Sequence, residues 1–109
     1  MIRRWVDKEV DADVLARRVG RSELGVRVVR VELELGEAVG ATLTLSRAKK
    51  TLATRRVARA REGTRVLTLV VPSGVKKGPA RFGLQLRDAA GNTKAWNAAV
   101  KLPPLNPRS

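Results

Sequence analysis

The sequence predicts an all-β protein, an antiparallel two-sheet sandwich of about seven short strands. Three observations carry that expectation. Ala80, Phe82, Leu84 and Leu86 alternate with Arg81, Gly83, Gln85 and Arg87, the period-two pattern of a strand with one buried face. The turn residues Asp88, Gly91 and Asn92 follow, and Trp96, Ala98, Val100 and Leu102 then resume the alternation. Turn signals recur at roughly ten-residue spacing along the rest of the chain, the rhythm of hairpin and Greek-key links.

Taken in order, residues 1–25 are mixed in charge and weakly patterned. Val6, Val10 and Val14 stand four apart among Asp7, Glu9, Asp11 and Asp13, which allows a helical turn or an irregular first strand. Gly20 and Gly25 bracket an expected turn. Val29, Val31, Leu33 and Leu35, alternating with Arg30, Glu32 and Glu34, predict a strand, and Gly36 and Gly40 bound the turn after it. Ala41, Leu43 and Leu45 against Thr42 and Thr44 predict a further strand, expected to pair with the preceding one and to turn its threonines toward solvent. Lys49 to Arg61 is rich in helix formers and is followed by Gly63, so propensity admits a helix over 47–62. Against a helix, Leu52 and Val57 stand five apart and make no helical stripe. Thr64 to Val71 alternates again with Leu67, Leu69 and Val71 inward, and Pro72 ends it. The Pro-rich tail 103–109 cannot continue a ladder and reads as a linker or docking arm.

Composition removes many chemistries. The 109 residues contain no Cys and no His, which excludes disulfides and thiol nucleophiles, the commonest zinc ligands and the usual neutral-pH general base. No enzyme, metal site or cofactor is expected. One Phe, two Trp and no Tyr leave a core of Val, Leu and Ala, with no stacking platform for single-stranded nucleic acid. After Met1-Ile2-Arg3-Arg4-Trp5 the chain runs into charges, without the apolar stretch of about 7–15 residues that a secretory signal uses. No run is long enough to predict a membrane span.

The pattern Pro72, Val75, Gly78, Phe82, Leu84, Leu86 and Asp88-Ala89-Ala90-Gly91-Asn92-Thr93 resembles the end of bacterial immunoglobulin-like and fibronectin-type-III-like repeats. Arg61-Glu62-Gly63-Thr64-Arg65-Val66-Leu67-Thr68-Leu69 resembles the strand that precedes it in them, and the likeness spans about residues 26–102. It implies an immunoglobulin-like sandwich over 26–102, flanked by the N-terminal segment 1–25 with an irregular first strand and by the tail 103–109, and it favours a strand over a helix in the ambiguous stretch 46–63. It also implies a structural, spacer or adhesive role on an extracellular, cell or virion surface, for example as a surface-protein repeat or a capsid or tail decoration. Such motifs specify fold far more than function. Some bacterial modules of this architecture carry a Lys–Asn isopeptide link, for which Lys8 and Asn97 are the residues here.

The charge of +13 speaks about partners. Residues 1–40 balance eight acidic against eight basic side chains, whereas 41–109 set only Glu62 and Asp88 against fifteen Lys and Arg. Such a field attracts polyanions. The expected binding residues are Arg47, Lys49, Lys50, Arg55, Arg59, Arg61, Arg65, Lys76 and Lys77, with a solvated, solubilising face as the plain alternative. Expected partners are an anionic polymer or surface, a protein partner or further copies of the chain, and nucleic acid without sequence specificity. Trp5, Pro103 and Pro104 are candidate assembly anchors, and Trp96 is expected to pack on Phe82 in the core. Asp7, Glu9, Asp11 and Asp13 lack a calcium-loop spacing, and Glu32 and Glu34 are better explained by cross-strand pairing with Arg or Lys than by carboxylate catalysis. The reading of a different class is a basic nucleic-acid-binding protein built on an Arg-rich helix at 47–62.

Overall fold

The computed structural model describes residues 10–21 and 25–104. Seven strands follow one another: β1 Ala12–Arg21, β2 Arg27–Leu35, β3 Val39–Arg47, β4 Lys50–Ala60, β5 Gly63–Val70, β6 Gly78–Arg87 and β7 Thr93–Leu102. They form two sheets, β1-β2-β5 and β4-β3-β6-β7, with every pair antiparallel. The protein is thus an all-β, antiparallel two-sheet sandwich.

The core lies where the alternating sequence patterns meet. Val29, Val31, Leu33 and Leu35 of β2, with Leu67 and Leu69 of β5, face Leu43, Leu45, Phe82, Leu84 and Leu86 of β3 and β6, all of them buried. Each such side chain contributes about 1.5–3 kcal/mol on leaving water, and with so few aromatics these branched aliphatics supply nearly all the cohesion. The hairpin β6–β7 has the register that its alternation predicts, with Ala80 opposite Val100. Trp96, however, stands directly opposite Leu84, while Phe82 faces Ala98; the indole reaches the core from the half-buried edge.

Two expectations change, and one open alternative is decided. First, β2 and β3 do not pair. β2 lies between β1 and β5, and β3 lies between β4 and β6, so Gly36–Ala38 carries the chain from one sheet to the other. The Gly36 N–H donates to the Asp11 carbonyl at 2.8 Å. A three-residue link suits a hairpin and a crossover equally, and only the number of neighbours each strand needs decides between them. Second, residues 47–62 hold strand β4, the reading the resemblance favours, and not the helix of the alternative. Shifts in the β3–β4 register on either side of the Ala41–Leu45 run place Ala53 opposite Leu45, Val57 opposite Ala41 and Ala60 opposite Val39. These bulges explain apolar residues that fit neither a helical nor a strict alternating period. Third, the sandwich takes in residues before 26, because β1 pairs along β2 from Ala12 to Arg21. A bulge between Val14 and Ala16 breaks its alternation and leaves Leu15 52% exposed. The expected turn between Gly20 and Gly25 falls largely on residues outside those described, as do Trp5, Val6, Asp7, Lys8 and Glu9.

The loop after β6 closes on itself through Asp88. Its carboxylate accepts from the Asn92 backbone N–H at 2.8 Å and from Asn92 Nδ2 at 3.0 Å, and its carbonyl accepts from the Gly91 N–H at 3.1 Å. Gly91 turns the chain at φ 90°. The Asn92 side chain, followed by the backbone N–H groups of Asn92, Ala90 and Gly91, holds the Asp88 carboxyl below the usual carboxylate range, outweighing the opposing effect of burial. A carboxyl lowered on folding stabilises the protein above its unfolded pKa of about 3.9 and loses that contribution as pH falls through the folded value. Asp88→Ala should therefore lower the unfolding midpoint at neutral pH and flatten its fall below about pH 4, as read by thermal melts across pH. Leu43→Ala, at a fully buried position between two paired strands, should cost about 2–5 kcal/mol in denaturant unfolding.

Candidate functional site

One end of the sandwich gathers positive charge. The antiparallel register brings together the end of β1, the start of β2, the β3–β4 turn, the β5–β6 connection and the end of β7. These segments carry Arg21, Arg27, Arg47, Lys49, Lys50, Lys76, Lys77 and Lys101. Among the described residues no acidic side chain lies on them. Asp11, Asp13, Glu34, Glu37, Glu62 and Asp88 belong to the opposite end, and Glu32 to the middle of β2. The imbalance seen along the sequence thus becomes a gradient along the strand axes.

At the base of this end sit three arginines with no carboxylate partner among the described residues. Arg27 is 0% exposed; its Nη1 donates to the Pro103 carbonyl at 3.0 Å and its Nη2 to the Pro72 carbonyl at 2.9 Å. Arg21 Nη2 donates to the Pro104 carbonyl, and Arg47 Nε to the Pro79 carbonyl at 2.8 Å. One buried N–H-bearing nitrogen on each is left unpaired: Nε of Arg21, Nε of Arg27 and Nη2 of Arg47. Burial, then repulsion by Arg21 and Arg47, lowers the Arg27 pKa, yet a guanidinium keeps its proton at any physiological pH. A buried, uncompensated cation costs several kcal/mol in general, so the arrangement is expensive as it stands. A groove of about 580 Å³ opens beside it between Lys77–Gly78 and Lys101–Pro104, with Val19 on its wall.

The lysines above are held by a strained turn. Ala48 and Lys49 both lie in the left-handed region, at φ 50° and 68°, as a two-residue β3–β4 hairpin with both central residues at positive φ demands. Asn-Gly is the usual solution to that geometry. Here the two strained positions hold an alanine and a lysine, both with a Cβ and the second with a charged tip.

The nine sequence-predicted residues do not form one patch. Arg47, Lys49, Lys50, Lys76 and Lys77 meet at the basic end. Arg55 and Arg59 lie along the open edge of β4, where Arg55 Nη1 donates to the Thr68 carbonyl of β5 at 2.6 Å and so bolts the two sheets together. Arg61 and Arg65 lie at the far end, and Arg65 pins its turn by donating to the carbonyls of Arg61 at 3.0 Å and Glu62 at 2.8 Å. Pro103 and Pro104 dock on the body of the protein through their carbonyls. Trp5 lies outside the described residues. Asn97 is exposed on the outer face of β7, away from the core in which an isopeptide would form, and Lys8 is not described. Glu34 faces Asp13 and Thr64, and Glu32 faces Ala16 and Val66, so neither has the directly opposed Arg or Lys expected of it. Among the described residues no group of three or more carboxylates could hold a metal ion, and no helix is long and apolar enough to cross a membrane.

Arg21, Arg27 and Lys101 were absent from the sequence-predicted set. For Arg27 a signal exists: it stands in phase with Val29, Val31, Leu33 and Leu35, so strict alternation places a charge on the inward face.

No family model matches the chain, and no curated protein matches it. Among solved structures it is similar to DesR, a beta-glucosidase from Streptomyces venezuelae determined in complex with D-glucose, at 16% identity and a TM-score of 0.45. The likeness covers 86% of this chain and 15% of that one, so the chain spans a small part of that enzyme's length.

Replacing the strained pair should expose a trade-off. Lys49→Gly should stabilise the fold by about 0.5–1 kcal/mol in denaturant unfolding by relieving the positive φ, while weakening attraction to polyanions at the same end.

Proposed function

We propose that the chain is a non-catalytic structural or adhesive module, kin to bacterial immunoglobulin-like and fibronectin-type-III-like repeats, that docks by its basic end on an anionic partner of an extracellular or virion surface. The single observation that supports this is the collection of eight cations at one end of the sandwich with no described acid among them. A focused field of one sign raises the encounter rate with polyanions and orients the approaching module along its long axis. Catalysis has no support in the side chains present, since both His and Cys are missing and the described carboxylates are not grouped for acid–base work.

Docking through charge reads spacing and density of negative groups more than their identity. The Arg-rich helix required for the nucleic-acid reading is strand β4, so duplex DNA would be bound only as one polyanion among others. The test compares heparin and duplex DNA as immobilised probes. Lys49→Gln/Lys50→Gln/Lys76→Gln/Lys77→Gln should weaken binding to both by about tenfold or more. On DNA it should also flatten the salt dependence by about one unit of log–log slope for each phosphate no longer neutralised. Arg56→Gln/Arg59→Gln/Arg61→Gln/Arg87→Gln, which removes the same four charges from exposed positions away from that end, should change little. Equal losses from the two variants would show that net charge alone governs binding and would overturn end-on docking.

A further inference from the structure

Four strands lie at sheet edges: β1 and β5 in one sheet, β4 and β7 in the other. An edge strand leaves alternate N–H and C=O groups of its main chain without a neighbouring strand, and natural sheets guard such edges with bulges, charges or covering groups. β1 is bulged between Val14 and Ala16, β4 is bulged twice and carries Arg55, Arg56 and Arg59, and Arg55 donates to the Thr68 carbonyl of β5. β7 has none of these guards. Its pairing with β6 runs without a shift from Thr93 to Leu102, and among the described residues no side chain hydrogen-bonds to its main chain. Between Lys94 and Lys101, the stretch Ala95 to Val100 holds no charge, Pro or Gly, the composition of a segment that takes up another strand.

The same strand borders a slot into the core. On the flank shared by β1 and β7, Lys94 bridges the sheets at one end by donating to the Ala12 carbonyl, and Arg21 bridges them at the other by donating to the Pro104 carbonyl. Between these bridges lies an opening of about 80 Å³, with buried Val31, Phe82 and Leu84 at its base, half-buried Val14, Trp96 and Ala98 on its sides and exposed Arg17 at its mouth. Arg17 has no hydrogen-bond or ion-pair partner among the described residues. A cavity of about 150 Å³ admits benzene, so an opening about half that size fits one branched aliphatic side chain and not an aromatic ring.

We infer that the β7 edge takes up an extended segment of a partner protein as a further strand of its sheet, with one aliphatic side chain of that segment seated in the slot and acidic residues at the segment's ends. Charge selects this occupant over a second copy of the chain. Antiparallel pairing of β7 with β7 about the middle of the uncharged stretch sets Lys94 of each copy opposite Lys101 of the other, and like charges directly opposed destabilise a sheet. Asp or Glu at the ends of the segment meets those lysines with the opposite sign, and Arg17 adds a free cation at the mouth of the slot. Main-chain hydrogen bonds supply affinity and the slot supplies side-chain preference. This surface lies on the β1–β7 flank and does not depend on docking by the basic end.

The probe is a synthetic peptide of about seven residues, Val and Thr alternating around a central Leu with Asp and Glu at the ends, added to the full chain. Nitrogen-15 amide spectra should show saturable shifts within Thr93–Leu102 and slowed hydrogen exchange at alternate amides of β7, with β4 and β5 unmoved. The same peptide with Pro beside the Leu cannot complete the ladder and should not bind. Ala98→Leu, which fills the slot from the protein's own side, should weaken the peptide about tenfold through loss of the buried anchor. Arg17→Glu, at an exposed position, should weaken it too and strengthen a version that ends in Lys. Absence of binding at about 1 mM peptide, equal binding of the Pro version, or shifts centred on β4, β5 or the basic end would overturn the inference. Dimerisation of the chain through β7 would overturn it as well, by making a second copy the occupant. Lys49→Gln/Lys50→Gln/Lys76→Gln/Lys77→Gln should keep the peptide; a peptide lost along with heparin would show general attraction to positive charge in place of strand addition.

Discussion

A cation that cannot find a carboxylate must find another acceptor, and in this protein it finds the backbone. With 23 Lys and Arg against 10 Asp and Glu, side-chain pairing cannot satisfy the positive charges. The hydrogen bonds of the described residues show the outcome: Arg21, Arg27, Arg47, Arg55, Arg65 and Lys94 all donate to main-chain carbonyls. The acceptors lie mostly where a ladder has no partner of its own, at strand ends, in connections and along edges. Carbonyls left over by the sheets and cations left over by the composition thus meet one another's needs.

This determines how the sandwich closes. Two sheets packed face to face leave two open flanks, and each flank here is bridged by a long basic side chain. Arg55 reaches from β4 to the Thr68 carbonyl of β5, and Lys94 from β7 to the Ala12 carbonyl of β1 at 3.1 Å. Lys94 also sits 5.3 Å from the Trp96 ring centroid, so one cation ties an edge strand, the half-buried indole and the facing sheet together. Positive side chains on β4 discourage edge-to-edge pairing as well. Much of the basic surplus therefore belongs to the fold, and net charge by itself overstates how much is free for a partner.

The parts of the fold that were legible in the sequence are those in which a single strand has one buried and one solvated face. β2, β3, β5, β6 and β7 all show that alternation, and the Asp88–Asn92 loop is legible because its residue types fit its hydrogen bonds. The illegible parts are those in which a bulge shifts the period or in which sheet membership depends on distant strands. β1 and β4 lose their pattern at bulges. The passage from β2 to β3 is invisible locally because the same two alternating runs suit a hairpin or a crossover. The site was half legible for the same reason: the lysines stand in recognisable turns, but the shared position of Arg21, Arg27 and Arg47 at one end requires knowing that three strands end together.

Two local costs fall at the same end of the molecule. The β3–β4 turn holds Ala48 and Lys49 at positive φ, and Arg27 is buried with an unmet donor, though Asn-Gly in the first case and an aliphatic residue in the second would fit the fold better. Elsewhere positive φ falls on glycine among the described residues. Coincident departures from local preference concentrate where something other than stability sets the residue. The turn projects a charge outward from a backbone that prefers glycine, and the arginine keeps a charge inside a seam that prefers valine. Both departures place positive charge at the basic end, one on its rim and one at its base.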